Sequence, residues 1–424
     1  MLTAILFGSF ALFLLLSVPI GIALGLSTLI TILITGVIPA EFLARELVTA
    51  VDSFPLMAVP FFILAGEIMG QGGISDRLFH FADSLVGNRT GGIAIATIIT
   101  CMFFAAISGS GPATVAAIGG IMIPAMERLG YDKRFATATV AAAGSLGVII
   151  PPSIPMVIYG VVGSVSIGSL FLAGIIPGLI VGIALIAWAY IYSRQQGYTG
   201  RKEKTSLKKI LKAAWDAKWA LIMPVIILGG IYGGIFTPTE AAVIAVVYGL
   251  IAGLFLYGEL KISQLPSIAF NAALTTATIL IIVGTATAFG RLLTIAQIPS
   301  QIAQFMLSIS ENPLIIILLI NIFLLVVGCF MDTLAAIIIL TPILLPIALN
   351  IGYNPLHFGI IMVVNLAIGF ITPPLGVNLF VGSSISGLSI EALSRAIVPF
   401  FFVMLLSLVL IIFIPQLSLF LTGN

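Results

Sequence analysis

The chain has 424 residues, 60% of them hydrophobic and only 8% charged, with a formal net charge of +2. Soluble domains carry about 25% charged residues, so this composition excludes a soluble enzyme and a basic nucleic-acid binder. What remains is a polytopic membrane protein with little mass outside the bilayer, and no nucleic-acid partner is expected.

Apolar runs of about 20 residues mark spans. Residues 2–17 and 19–36 predict two, separated at Pro19. The N-terminal run lacks the basic stretch of a signal peptide and reads as the first span. Residues 40–52 predict an interfacial helix, 54–70 a third span, and 71–90 a polar connector. Residues 91–127 are interrupted by SGSGP at 108–112. Neither side of that turn carries a charge, which predicts a re-entrant hairpin with its tip inside the membrane. A broken span follows over 134–162, then a span over 168–193.

Residues 194–218 hold eight basic side chains: Arg194, Arg201, Lys202, Lys204, Lys208, Lys209, Lys212 and Lys218. They predict a solvated cytoplasmic linker near anionic lipid. The pattern then restarts: spans over 219–236 and 238–257, an interfacial piece over 258–268, and a span over 270–290. A second hairpin, 312–350, has its tip near Asp332. A second broken span covers 356–383 and the last span 396–420. Repeat one is thus 1–193, with scaffold spans within 1–70, and repeat two is 219–424, with scaffold spans within 219–290.

The halves share a phrase, GVIIPPS at 147–153 and GFITPPL at 369–375, offset by 222 residues. In the same register Pro124 matches Pro346, Gly130-Tyr131 matches Gly352-Tyr353, and Pro177 matches Pro399. This is an internal repeat. One Pro-Pro in a membrane helix is a plain kink; two in register, each after a glycine, predict paired helix breaks. Five crossings per half, an odd number, force opposite orientations on the two halves. With 194–218 cytoplasmic, only Arg45 and Arg291 of the 17 Lys and Arg fall outside. Both termini are then periplasmic. The expected fold class is an all-α polytopic membrane protein with two inverted-topology repeats, each of five spans, one broken, plus a re-entrant helical hairpin.

Backbone freed at a break survives in a membrane only where protein or a wet cavity supplies partners. Inverted repeats with broken helices describe an ion-coupled secondary transporter. Carbonyls at 147–153 and 369–375 can coordinate a hard cation such as Na+. Ser108, Ser110, Asp332 and Thr333 at the hairpin tips can complete the shell, and helix N-termini beside them favour an anion. Asn378, one turn past the second break, could donate to a substrate; Asn365 lies before it. Ser110 also suits tight packing alone. Asp332 costs about 2.5–3.5 kcal/mol at the bilayer centre, so it has a functional partner or sits at a shallower, wetted tip. Glu240, after Thr237-Pro238-Thr239, reads as a cap. Glu67 is open between structural pairing and transport. Arg291 snorkels outward or meets an acid. There is no C-x-x-C pair, metal-ligand spacing or phosphate-binding loop.

At these residues the chain resembles the large membrane subunit of tripartite ATP-independent periplasmic (TRAP) transporters. The resemblance rests on FTPTEAA (236–242), SGSGPATVAAIG (108–119), GYD (130–132), GVIIPPS and GFITPPLGVN (369–378). It covers essentially the whole chain. It implies a bacterial inner-membrane, Na+-coupled importer of organic acids such as C4-dicarboxylates or sialic acid, moving like an elevator against a fixed scaffold. It implies two partners, a small four-helix membrane subunit and a periplasmic substrate-binding protein. Because the chain begins with the large subunit, the small one is expected to be separate. Sodium sites carried over from the family fall on Gly147, Ile150 and Ser153 with Ser108, and on Gly369, Thr372 and Leu375 with Gly328. The substrate is expected to meet Ser110, Asp332, Thr333 and Asn378, and overall likeness leans to sialic acid. No organic cofactor is expected. Two other readings remain open. One is a stand-alone Na+/dicarboxylate symporter. The other is a Ser110-centred hydrolase, which would need His80 or His357 as its base although both are placed in connectors on opposite sides.

Overall fold

The computed structural model describes residues 2–200, 206–310 and 312–423. These residues are helical throughout, with no strand among them. Seven described helices are long and apolar enough to cross a membrane, or up to nine if each bent pair counts as one span. The elements predicted for the second half of each repeat are present. Hairpin one is Gly92–Ser108 with Gly111–Arg128, and hairpin two is Pro313–Phe330 with Thr333–Asn350. The first broken helix runs through Lys133–Gly144 and Leu146–Ile149, then restarts as Ile154–Val162. The second is Pro355–Gly369, restarting as Val377–Ser386. Long helices Ile167–Gln195 and Ile390–Phe413 follow them.

The repeated residues adopt matching backbone. Gly130 and Gly352, which close the two hairpins, have φ of +83° and +84°, and both Pro-Pro bonds are cis. The halves interlock at the centre. Tyr159 of the first broken helix donates its hydroxyl to the Pro355 carbonyl at 2.8 Å. Every residue from Leu356 to Gly369 is buried.

Three expectations change. The polar connector at 71–90 is largely a helix, Ile74–Val86, bent 69° from the helix before it. Ile74, Leu78, Phe79 and Ala82 recur at helical spacing and bury one face, while Asp76 and Arg77 lie off it. Gly73, at φ +74°, makes the corner. The linker likewise contains a Ser206-capped helix, Leu207–Asp216, whereas Arg201, Lys202 and Lys204 lie outside the described residues. A helix not foreseen, Ile298–Ile309, precedes hairpin two.

The remaining helices pack largely on one another. Leu265–Ile295 packs along Ile20–Thr35 through small residues: a methyl at Gly25 would sit 3.0 Å from Thr285. Arg291 lies 4.0 Å from Glu46 of the helix Glu41–Thr49. Glu240 closes a capping box with Thr237, accepting from its N–H at 2.8 Å.

Candidate functional site

Hairpin one turns at Gly109, φ +60°, which a side chain would strain. Ser110, in extended conformation, starts the second arm by accepting from Ala113 N–H. Ser108 Oγ and Thr114 Oγ1 lie 3.0 Å apart, and Thr114 donates to the Ser110 carbonyl at 2.8 Å. This tip is seated on the first break: Ile154 N–H donates to the Gly109 carbonyl at 3.2 Å. A methyl at Gly147 would collide with the Ser110 carbonyl and lie 2.6 Å from Thr114 Oγ1. Only glycine lets those oxygens crowd against the helix. Past the break, Ser153 Oγ donates to the Val148 carbonyl at 2.6 Å and accepts from Met156 N–H, restarting the helix. Ile150 packs against Gly178 of the following long helix.

Hairpin two repeats the scheme with different chemistry. Asp332 stands where the 222-residue offset places Ser110, and it also caps its second arm, accepting from Leu334 N–H at 2.9 Å. The tip again meets the break of its own half: Leu375 N–H donates to the Cys329 carbonyl at 3.1 Å. Gly328 and Gly369 touch backbone to backbone, and a methyl on Gly369 would lie 2.8 Å from the Gly328 Cα. Thr372 Oγ1 donates to the Ile368 carbonyl at 2.8 Å, and Thr333 is buried. The helix resumes after Gly376, φ +49°, without a side-chain cap.

Between the tips and helices Ala58–Gln71 and Leu265–Ile295 lies a cavity of about 750 Å³. Ser108 and Ser110 reach it from hairpin one, Asp332 from hairpin two, Glu67 from Ala58–Gln71 and Thr278 from Leu265–Ile295. Among the described residues its walls carry two acids and no Lys, Arg or His. Glu67, left open from sequence, is therefore a cavity residue; its position one turn before Gln71, which also lines the wall, was the available signal.

Asn378 lies away from the cavity. Read as a substrate donor, it is fully buried, and its amide donates to the Ala141 carbonyl at 3.0 Å and Ser145 Oγ at 3.2 Å. It ties the second break to the first broken helix and does not line the cavity. Thr333 also stays outside the walls. Thr114 was missed; it sits one turn after Ser110 in the SGSGPAT phrase. Neither histidine borders Ser110. His357 is buried and stacked on Tyr353, and His80 lies beside Asp76 and Arg77 in a separate surface pocket. A Ser110 nucleophile thus has no imidazole base in its cavity.

The crystal structure of the Alcanivorax borkumensis YdaH transporter shares this fold, with a TM-score of 0.64 at 15% identity over 90% of this chain and 88% of that one. Among sequence relatives, the isethionate TRAP transporter permease protein DctMQ of Oleidesulfovibrio alaskensis is 54% identical over 99% of this chain. This chain spans 66% of that relative's length. The C4-dicarboxylate large permease of Pseudomonas aeruginosa is 44% identical, covering 94% of this chain and 93% of the relative. The sialic acid large permease of Vibrio cholerae is 38% identical, covering 95% and 94%. The sequence pattern described as tripartite ATP-independent periplasmic transporter, DctM component, matches residues 7–417. The chain belongs to this family as a TRAP large membrane subunit.

Proposed function

We propose that the protein is the Na+-coupled permease subunit through which a small organic anion crosses the inner membrane. One observation carries the reading: each hairpin tip is hydrogen-bonded to the Pro-Pro break of its own half, Gly109 to Ile154 and Cys329 to Leu375. Such junctions gather carbonyl and hydroxyl oxygens that suit a hard monovalent cation. At the first, Ser108 Oγ, Thr114 Oγ1 and the carbonyls near Gly147 would take Na+. At the second, the Gly328 carbonyl, Thr372 and the carbonyls of 369–375 would. The buried Oδ1 atoms of Asn365 and Asn378 lack partners among the described residues, which supports an oxygen-rich, cation-tolerant interior.

The anion would enter the cavity against Ser108, Ser110 and the N-terminus of Gly111–Arg128, whose dipole favours negative charge. Each Na+ moving inward gains about 2.3 kcal/mol per 100 mV of membrane potential. Two such ions would offset the charge of one anion and still drive uptake. The hairpins and broken helices would travel as a unit against the scaffold, with the tip–break hydrogen bonds intact. A small membrane subunit would complete the scaffold and a periplasmic protein would deliver the substrate. The distribution of basic residues supports a periplasmic position for both termini. The relative at 54% identity makes isethionate the first candidate, ahead of C4-dicarboxylates and of sialic acid.

The test is uptake into proteoliposomes holding this chain and its small subunit, with a binding protein outside. Isethionate, succinate and sialic acid are compared with and without an inward Na+ gradient. Accumulation of one that needs both Na+ and the binding protein is the expected result. Na+-driven uptake without the binding protein would instead support a stand-alone symporter.

A further inference from the structure

Glu67 sits one turn from the C-terminal end of Ala58–Gln71, on the wall of the cavity opposite the hairpins, lining the same space as Ser108, Ser110 and Asp332. Among the described residues it has neither an ion pair nor a hydrogen bond. Asp332 differs: its carboxylate is held by the start of its own helix through Leu334 N–H. The uncompensated carboxylate of the cavity is therefore Glu67. Intramembrane carboxylates are costly and mark sites of function. No basic side chain lines the walls to neutralise it or to receive a second negative group from the cargo.

We infer that Glu67 is a specificity-determining residue that selects anions of single charge bearing a hydrogen-bond-donating end, such as a hydroxyl, over dianions. This rests on the importer reading above. The anionic end of the cargo lies at Ser108, Ser110 and the N-terminus of Gly111–Arg128, and the far end reaches the scaffold wall. There a carboxylate accepts from a hydroxyl and repels a second carboxylate. At an effective dielectric near 20, two like charges about 12 Å apart already change relative affinity by about tenfold and closer ones by more, so about tenfold is the least effect expected. A hydroxysulfonate meets both requirements, whereas succinate meets neither, because it carries two charges and no hydrogen-bond donor.

The experiment is displacement of labelled isethionate from the purified membrane complex in Na+, without binding protein, so that the cavity alone chooses. Competitors are isethionate, ethanesulfonate (the same anion without its hydroxyl) and succinate. In the unaltered protein the expected order is isethionate, ethanesulfonate, succinate. Glu67→Gln removes the charge and keeps an acceptor, so succinate should gain about tenfold relative to isethionate while ethanesulfonate stays behind. Glu67→Ala should also erase the advantage of the hydroxyl. Each ratio is read within one preparation, so a loss of folded protein does not imitate the result. Succinate competing as well as isethionate in the unaltered protein, or ratios unmoved by Glu67→Gln, would overturn the assignment and leave Na+-coupled transport standing. No saturable binding of any of the three would overturn this inference; the importer reading is tested separately by the proteoliposome uptake above, where no Na+-driven accumulation of any candidate would overturn it.

Discussion

The two helix breaks are equivalent in sequence register yet differ in their surroundings. At the first, residues 151–153 are all buried, and the restart is capped by Ser153, which also satisfies the Val148 carbonyl. At the second, Pro373, Pro374 and Leu375 are exposed, Leu375 to 38%, and the restart has no side-chain cap. Both leave backbone groups outside helical pairing. The first satisfies them inside protein; the second opens some of them outward. The same phrase thus gives one sealed and one accessible junction, and the second restart is set one residue later, with Gly376 in the capping position.

The comparison can be broken most severely at the glycines. Gly369→Ala places a methyl against the Gly328 backbone, where no flexible side chain can yield. Overpacking costs about 1–3 kcal/mol, and here it also separates tip from break. Uptake should fall by about a hundredfold or more in vesicles with normal protein content, and near-normal uptake would show that the contact is not needed. Asp332→Ala should come next, abolishing most uptake while the protein still inserts, because it removes both a cavity carboxylate and the cap of Thr333–Asn350. Asp332→Asn retains an acceptor for Leu334 N–H and separates those roles.

Ser153→Ala should cost about 1–2 kcal/mol of stability from the lost cap and the stranded Val148 carbonyl, read as a lower melting temperature of the purified complex. Thr372→Val should raise the Na+ concentration for half-maximal uptake about three- to tenfold; an unchanged Na+ dependence would argue against a cation at the second junction. Leu375→Ser should have the smallest effect, within about 0.5 kcal/mol in thermal stability, because the second restart is capped one residue later, at Gly376, and Asn378 N–H already donates to the Phe370 carbonyl. A gain above about 1 kcal/mol would instead show that a serine there can cap the second restart.

Much of this arrangement is legible in sequence because membranes punish unsatisfied backbone. A Pro-Pro pair after glycine can break a span only where partners exist, so two such pairs in register announced the breaks and their hairpins. What could not be read is which surfaces face one another across halves. Asn378 lies one turn past its break, as a substrate ligand would, but the helix carrying Ala141 and Ser145 crosses it from more than 230 residues away. Glu67 stayed open for the same reason: its own helix does not say which hairpin tip lies opposite. The helix Ile74–Val86 was missed because its polar residues suggested a connector, while its buried face repeats at helical and not membrane-spanning spacing.

The most direct test of the account is the ion dependence of uptake at a fixed membrane potential. The purified membrane complex, reconstituted with its binding protein, is given labelled substrate while external Na+ is varied against K+. The account predicts no accumulation without Na+ and a rate that rises more steeply than first order, since both junctions must fill. Uptake that persists when K+ replaces Na+, or that follows an imposed proton gradient alone, would contradict it.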